Sequence, residues 1–156
     1  MLCLSEKLDR SVPMPGEPGA MVTTEGEATV KIRNDVDVVV ARQEGRRMAA
    51  GLGFGPGDVT LIATAISEVA RNIVNYAGEG EIVLGIIHDD GRTGVSIIAR
   101  DRGPGIPDIS LAMQDGYSTS KGLGLGLPGA RRIMDEFEIS SEVGKGTTVK
   151  MRKWKR

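Results

Sequence analysis

Several things are scarce in this chain, and each scarcity excludes a class of protein. The only cysteine, Cys3, cannot form an internal disulfide and cannot build a cysteine-based zinc site, which fits a reducing compartment. No apolar run approaches the roughly 20 residues that span a bilayer. The opening MLCLSEKLDR carries neither an apolar signal core nor a cleavage signature, so the chain is expected to be cytoplasmic, neither exported nor membrane-inserted. Neither sign of charge dominates: 20 basic against 21 acidic side chains leave a formal net charge of −1, with no global field to draw in nucleic acid or an anionic membrane. Aromatics fall to 3%.

Glycine is abundant instead, with 22 of 156 residues, about double the usual share. A chain of this length holds one respectable core, and 40% hydrophobic with 26% charged residues is normal for a globular domain. Residues 1–25 carry Pro13, Pro15 and Pro18 without apolar periodicity, so they are expected to form a disordered tail ahead of a single domain over 26–156.

Within that domain, EATVKIR predicts a first strand over about 27–33, with Asn34 or Asp35 capping a helix that runs to about Leu52. GLGFGPGD breaks this helix, and Asp58 is the expected cap of a second, VTLIATAISEVARNIVNYA, whose core stripe is Val59, Ile62, Ile66, Val69 and Ile73. EIVLGIIH and GVSIIAR flank DDGRTG as a hairpin. Residues 102–124 lack periodicity and read as a functional loop, with a flexible lid from about Pro107 to Lys121. A helix over LPGARRIMDEF and a second hairpin, EISSEV and TTVKMRKW joined by GKG, complete the chain. One mixed, mostly antiparallel sheet covered on one face by helices follows: a two-layer α/β sandwich.

Four segments carry candidate chemistry. On the second helix, Glu68 and Asn72 are four residues apart, about 40° round the axis, and so share a face. Asn72 offers a neutral oxygen suited to Mg²⁺, and Glu68 can accept a proton from a hydroxyl or water. At the end of a predicted strand, Asp101 can accept an exocyclic amine, while Gly103 and Gly105, followed by Ile106, let backbone approach a flat ring or a phosphate. Gly122, Leu123, Gly124, Leu125 and Gly126 open the helix after the loop, where freed amides and the helix dipole attract an anion. GKGT sets Thr147 beside the final strand, able to join Asp101 at a base directly or through water. Taken singly, these segments also fit a solvated helix face, a turn, a glycine-rich helix start and a hairpin.

In this order and at these intervals, the four segments resemble the Bergerat-fold (GHKL) ATPases, the group of DNA gyrase, histidine kinases and mismatch-repair ATPases. The resemblance covers roughly residues 27–154. It implies that Glu68 and Asn72 form the N box, DRGPGI the first glycine box, GLGLGL the second and GKGT the closing threonine motif, with ATP and Mg²⁺ as ligands. AISEVARNIVNYAG, DRGPGIPDI and DGYSTSKGLGLGLPGARRIMDEF further resemble the serine/threonine switch kinases of the anti-sigma-factor kinase branch. That likeness implies phosphorylation of STAS-domain antagonists in a stressosome-like complex, and docking on a PP2C-type phosphatase when free. The chain departs from many family members by carrying Tyr76 eight residues after the N-box glutamate, and Lys121 where close relatives have a small residue. Alternatives within and beyond the branch are an anti-sigma factor that also holds a sigma subunit, and a nucleotide-binding regulator without catalysis. A detached histidine-kinase domain fits less well, because the single histidine, His88, reads as a surface strand residue beside a hairpin turn.

Overall fold

The computed structural model describes residues 2–3, 22–114 and 126–156. Strand β1 is Leu2–Cys3 and β2 is Thr23–Ile32, in which Ala28, Val30 and Ile32 alternate inward against more polar outward neighbours. Helix α1, Asp35–Gly51, begins at Asn34, whose extended backbone and side chain, accepting the Asp37 N–H at 3.1 Å, form its N-cap. Its buried side is Val38, Ala41, Met48 and Ala49.

Helix α2, Pro56–Tyr76, is capped by Gly55 and not by the expected Asp58. Pro56 takes the first helical position, where its missing N–H costs nothing, and this moves Asp58 into the first turn, where it complements the helix dipole. The stripe Val59, Ile62, Ile66, Val69 and Ile73 is buried as expected. Ile62, Ile66 and Ile73 have at most 1% exposure, and truncating one such residue to Ala costs about 2–5 kcal/mol.

Strands β3, Gly80–Asp89, and β4, Arg92–Asp101, form the first hairpin about Asp90 and Gly91. A short helix, α3, occupies Ile109–Ala112. Helix α4, Gly126–Ile133, precedes β5, Glu136–Glu142, and β6, Gly146–Trp154.

The sheet order is β1-β5-β6-β4-β3-β2. Every strand pairing among the described residues is antiparallel, so the expected mixed sheet is purely antiparallel there. Ile82, Leu84, Val95, Ile97, Ile139, Val149 and Met151 point from the sheet into one core with the helices. This is the expected two-layer sandwich.

Other boundaries differ from expectation. Leu2 and Cys3 pair with Ser141 and Ser140, and β2 starts at Thr23, so the span 1–25 contains strand at both ends. Residues 4–21 lie outside the described residues. Part of the expected lid is helical: the Asp108 carboxylate accepts the Leu111 N–H at 3.0 Å, and Ile109 and Met113 reach the core at 5% and 6% exposure. Residues 115–121 of that lid, including Lys121, lie outside the described residues. The post-loop helix stops at Ile133 and not at Phe137, because Glu136 and Phe137 already pair with Arg152 and Met151. Among the described residues, no helix is long and apolar enough to cross a membrane.

Candidate functional site

The site grows from one row across the sheet. Asp101, at the end of β4, lies opposite Thr147 on β6, which lies opposite Ser141 on β5. Directly paired residues share a face, so their side chains stand together under the helices. β4 ends at Asp101 because the chain turns through Arg102-Gly103-Pro104-Gly105.

Asp101 Oδ1 accepts the Gly103 N–H at 2.9 Å. Burial pushes the Asp101 carboxyl above its ordinary value, and hydrogen bonds from the Gly103 and Thr147 amides oppose the rise. Two glycines make the turn possible. A Cβ on Gly103 would stand 2.5 Å from the Ala77 methyl, and Gly105 combines φ +81° with a Cβ direction 2.5 Å from the Glu142 carbonyl oxygen.

Ser141, 2% exposed, was not among the residues anticipated. Its hydroxyl accepts the Ile106 N–H at 2.7 Å, lies 2.9 Å from Thr147 Oγ1, and donates to the Gly146 carbonyl at 3.1 Å. One buried oxygen thus ties DRGPGI to GKGT. The sequence does hold a signal for it: in EISSEV, Ser141 falls two residues after Ile139 and so on the core-facing side of the strand.

A pocket of about 150 Å³ opens over this row. Asn72 and Tyr76 of α2, with Ala77 at its C-cap, line it together with Pro104–Pro107, Ala112, Leu127, Asp101 and Thr147. Its lining is mainly apolar with few polar groups, the usual character of a small-molecule site.

Glu68 stands one helical turn from Asn72 and outside the described pocket walls. Its Oε1 accepts the Gly126 N–H at 3.0 Å, where α4 begins, and its Oε2 lies 3.5 Å from Arg71 Nη1. The carboxylate is nearly enclosed, with its side chain 10% exposed. Among the described residues no three His, Cys, Asp or Glu gather into a metal cage. A neutral amide oxygen from Asn72 is a donor that fits Mg²⁺, which keeps waters and takes other oxygens from phosphates, and does not fit a transition metal seeking nitrogen or sulfur.

The fold therefore gathers Asn72, Asp101, Gly105, Ile106 and Thr147 around one pocket, with Gly103 packed behind it against Ala77. Glu68 and Gly126 meet beside it. Gly122, Leu123, Gly124 and Leu125 lie outside the described residues. His88 sits towards the far end of β3 from Gly80, the partner of Asp101, and its Nε2 lies 2.8 Å from Glu25 Oε1.

Residues 57–156 match the family described as histidine kinase-, DNA gyrase B-, and HSP90-like ATPase. The chain is 53% identical over 130 residues to serine/threonine-protein kinase RsbT of Bacillus subtilis (strain 168), covering 83% of this chain and 98% of that one. It is 37% identical over 103 residues to the anti-sigma F factor of Geobacillus stearothermophilus, covering 62% of this chain and 69% of the other. It is also similar to the solved structure of full-length ShkA in complex with AMPPNP, at 22% identity and TM-score 0.49 over 76% of this chain and 29% of that one. The chain belongs to this ATPase family and, within it, to the serine/threonine-protein kinases of the RsbT type.

Proposed function

We propose that this chain transfers the γ-phosphoryl group of ATP to a serine or threonine hydroxyl of a STAS-domain antagonist, as the kinase of a cytoplasmic partner switch. The observation that carries the reading is the convergence of Asp101, Thr147 and Asn72 on one pocket beside a carboxylate, Glu68, that is bound to the head of α4.

In this mechanism Asp101 accepts the exocyclic amine of adenine, and the turn from Gly103 to Ile106 packs its backbone against the base. The amides of the glycine-rich segment 122–125 hold the phosphates, while the Gly126 N–H is already donated to Glu68 Oε1 and is not among them. Asn72 would hold Mg²⁺, which when bound would neutralise developing charge on the triphosphate. The attacking hydroxyl oxygen bonds to the γ-phosphorus as the bond to the ADP oxygen breaks, and Glu68 takes the hydroxyl proton. Loose phosphoryl transfer needs little covalent help, so positioning and electrostatics supply most of the acceleration.

Identity of 53% to a named serine/threonine-protein kinase supports transfer to a serine or threonine hydroxyl; STAS antagonists as the substrates, a stressosome-like setting and a PP2C-type phosphatase as the partner of the released form are part of the proposal. Labelled ATP incubated with the chain and a Ser-bearing STAS domain tests this: label should move to that domain and disappear when its acceptor Ser is replaced by Ala. No transfer to any STAS domain overturns the reading.

A second reading is favoured by the 37% identity to anti-sigma F factors: that the chain also holds a sigma subunit. A pull-down that recovers sigma together with the chain supports it. Regulation without catalysis is disfavoured by Glu68, since nucleotide binding alone needs no base.

A further inference from the structure

Ser141 has one proton to give and two lone pairs to offer. Around it stand a group that only donates, the Ile106 N–H at 2.7 Å, and a group that only accepts, the Gly146 carbonyl at 3.1 Å. Its proton goes to the carbonyl and one lone pair to the amide. One lone pair remains for the third neighbour, Thr147 Oγ1 at 2.9 Å; either hydroxyl can donate across that contact, and the arrangement that satisfies all three neighbours has Thr147 donating to Ser141. Ser141 and Thr147 are 2% and 6% exposed, which leaves water little chance to reverse the order, and a buried hydroxyl without its partner is costly.

With its proton spent on Ser141, Thr147 can show the pocket only lone pairs. Asp101, opposite Thr147 in the same pocket, shows a carboxylate. We propose that Ser141 is a positioning residue for base selection: by fixing the direction of the Thr147 hydroxyl, it makes this part of the pocket acceptor-only, so that it takes a purine with a 6-amino donor and rejects one with a 6-oxo acceptor. The proposal rests on the reading of the pocket as a nucleotide site and goes beyond it, because it assigns the selectivity to a residue that need not touch the ligand. The same oxygen holds the Ile106 amide, so base selection and placement of the first glycine box share one anchor.

The test compares ATP with inosine triphosphate, which has a 6-oxo acceptor in place of the 6-amino donor and a proton on N1, by calorimetry on the full chain. Wild type should prefer ATP by about 100-fold or more, as polar sites do when a partner is mismatched. Ser141→Ala frees the Thr147 hydroxyl to turn and donate to the 6-oxo group, so the preference should narrow by about tenfold. Parallel loss of both affinities with an unchanged ratio shows that Ser141 is only structural and overturns the proposal. If Ser141→Ala does not fold, Thr147→Val decides the matter: removing an acceptor weakens ATP and leaves inosine triphosphate unaffected, whereas equal loss for both shows that the hydroxyl donates to the ligand and overturns the proposal. Wild type binding neither nucleotide overturns the nucleotide reading itself, an outcome distinct from an unchanged ratio.

Discussion

Glu68 Oε1 accepts the backbone N–H of Gly126 at 3.0 Å, so the carboxylate read as the catalytic base also caps the first turn of α4. Helix α2 is thereby tied to the glycine-rich segment that leads into α4, and two effects of mutating Glu68 can be separated. Glu68→Ala should lower phosphotransfer turnover by about 10²–10⁴-fold through loss of the base. It should also cost about 0.5–2 kcal/mol of stability through loss of the cap. Single-turnover kinetics and urea unfolding measure the two; full transfer with unchanged nucleotide affinity removes Glu68 from the chemistry.

Asn72→Ala should reduce Mg²⁺-ATP affinity and turnover together, because the metal would lose its protein oxygen. Titration of ATP with and without Mg²⁺ checks this. A mutant that keeps the wild-type dependence on Mg²⁺ contradicts the assignment.

Asp101 makes a prediction of opposite sign for stability and for function. Its folded pKa is raised above the ordinary 3.8, with burial the main cause. The native state thus binds protons more tightly, and this group's contribution to stability is fully present below pH 3.8 and lost as pH rises through the folded value. Asp101→Asn should therefore unfold at a higher temperature than wild type at neutral pH without nucleotide, while losing ATP affinity. ATP binding needs the carboxylate, so wild-type affinity should fall as pH drops through the raised pKa. Thermal melts and calorimetry against pH follow both trends; a mutant less stable at neutral pH contradicts the first.

Gly103→Ala drives a methyl to within 2.5 Å of the Ala77 side chain at the C-terminal end of α2. A cost of about 1–3 kcal/mol is expected from such overpacking. Nucleotide affinity should fall with it, because Ala77 also lines the pocket. Wild-type unfolding and ATP binding in this mutant would show that the turn relaxes without consequence.

Much of this architecture was legible because it is periodic. The stripe from Val59 to Ile73 repeats every three or four residues, and that alone places α2 against the sheet. Both hairpins were visible from apolar runs broken by turn residues. Local competition obscured the rest. Pro56 displaced Asp58 as the start of α2, and cross-strand pairing of Phe137 with Met151 took the end of the expected last helix into β5. The four residues of α3 are too few to show a period, and the pairing of Leu2 with Ser141 joins residues distant in the chain. In the site, Asp101, Asn72 and Thr147 stood out by type and spacing. Ser141 did not, because its importance comes from hydrogen bonds to two segments that converge only in the folded sheet.

A crystal structure of the chain with Mg²⁺ and a non-hydrolysable ATP analogue tests the central assignment most directly. The adenine should lie between Asp101 and Ile106 with its amine on the Asp101 carboxylate, the metal on Asn72, and the phosphates at the start of α4. An analogue bound away from β4 and α2, or seated with its base turned from Asp101, would contradict it.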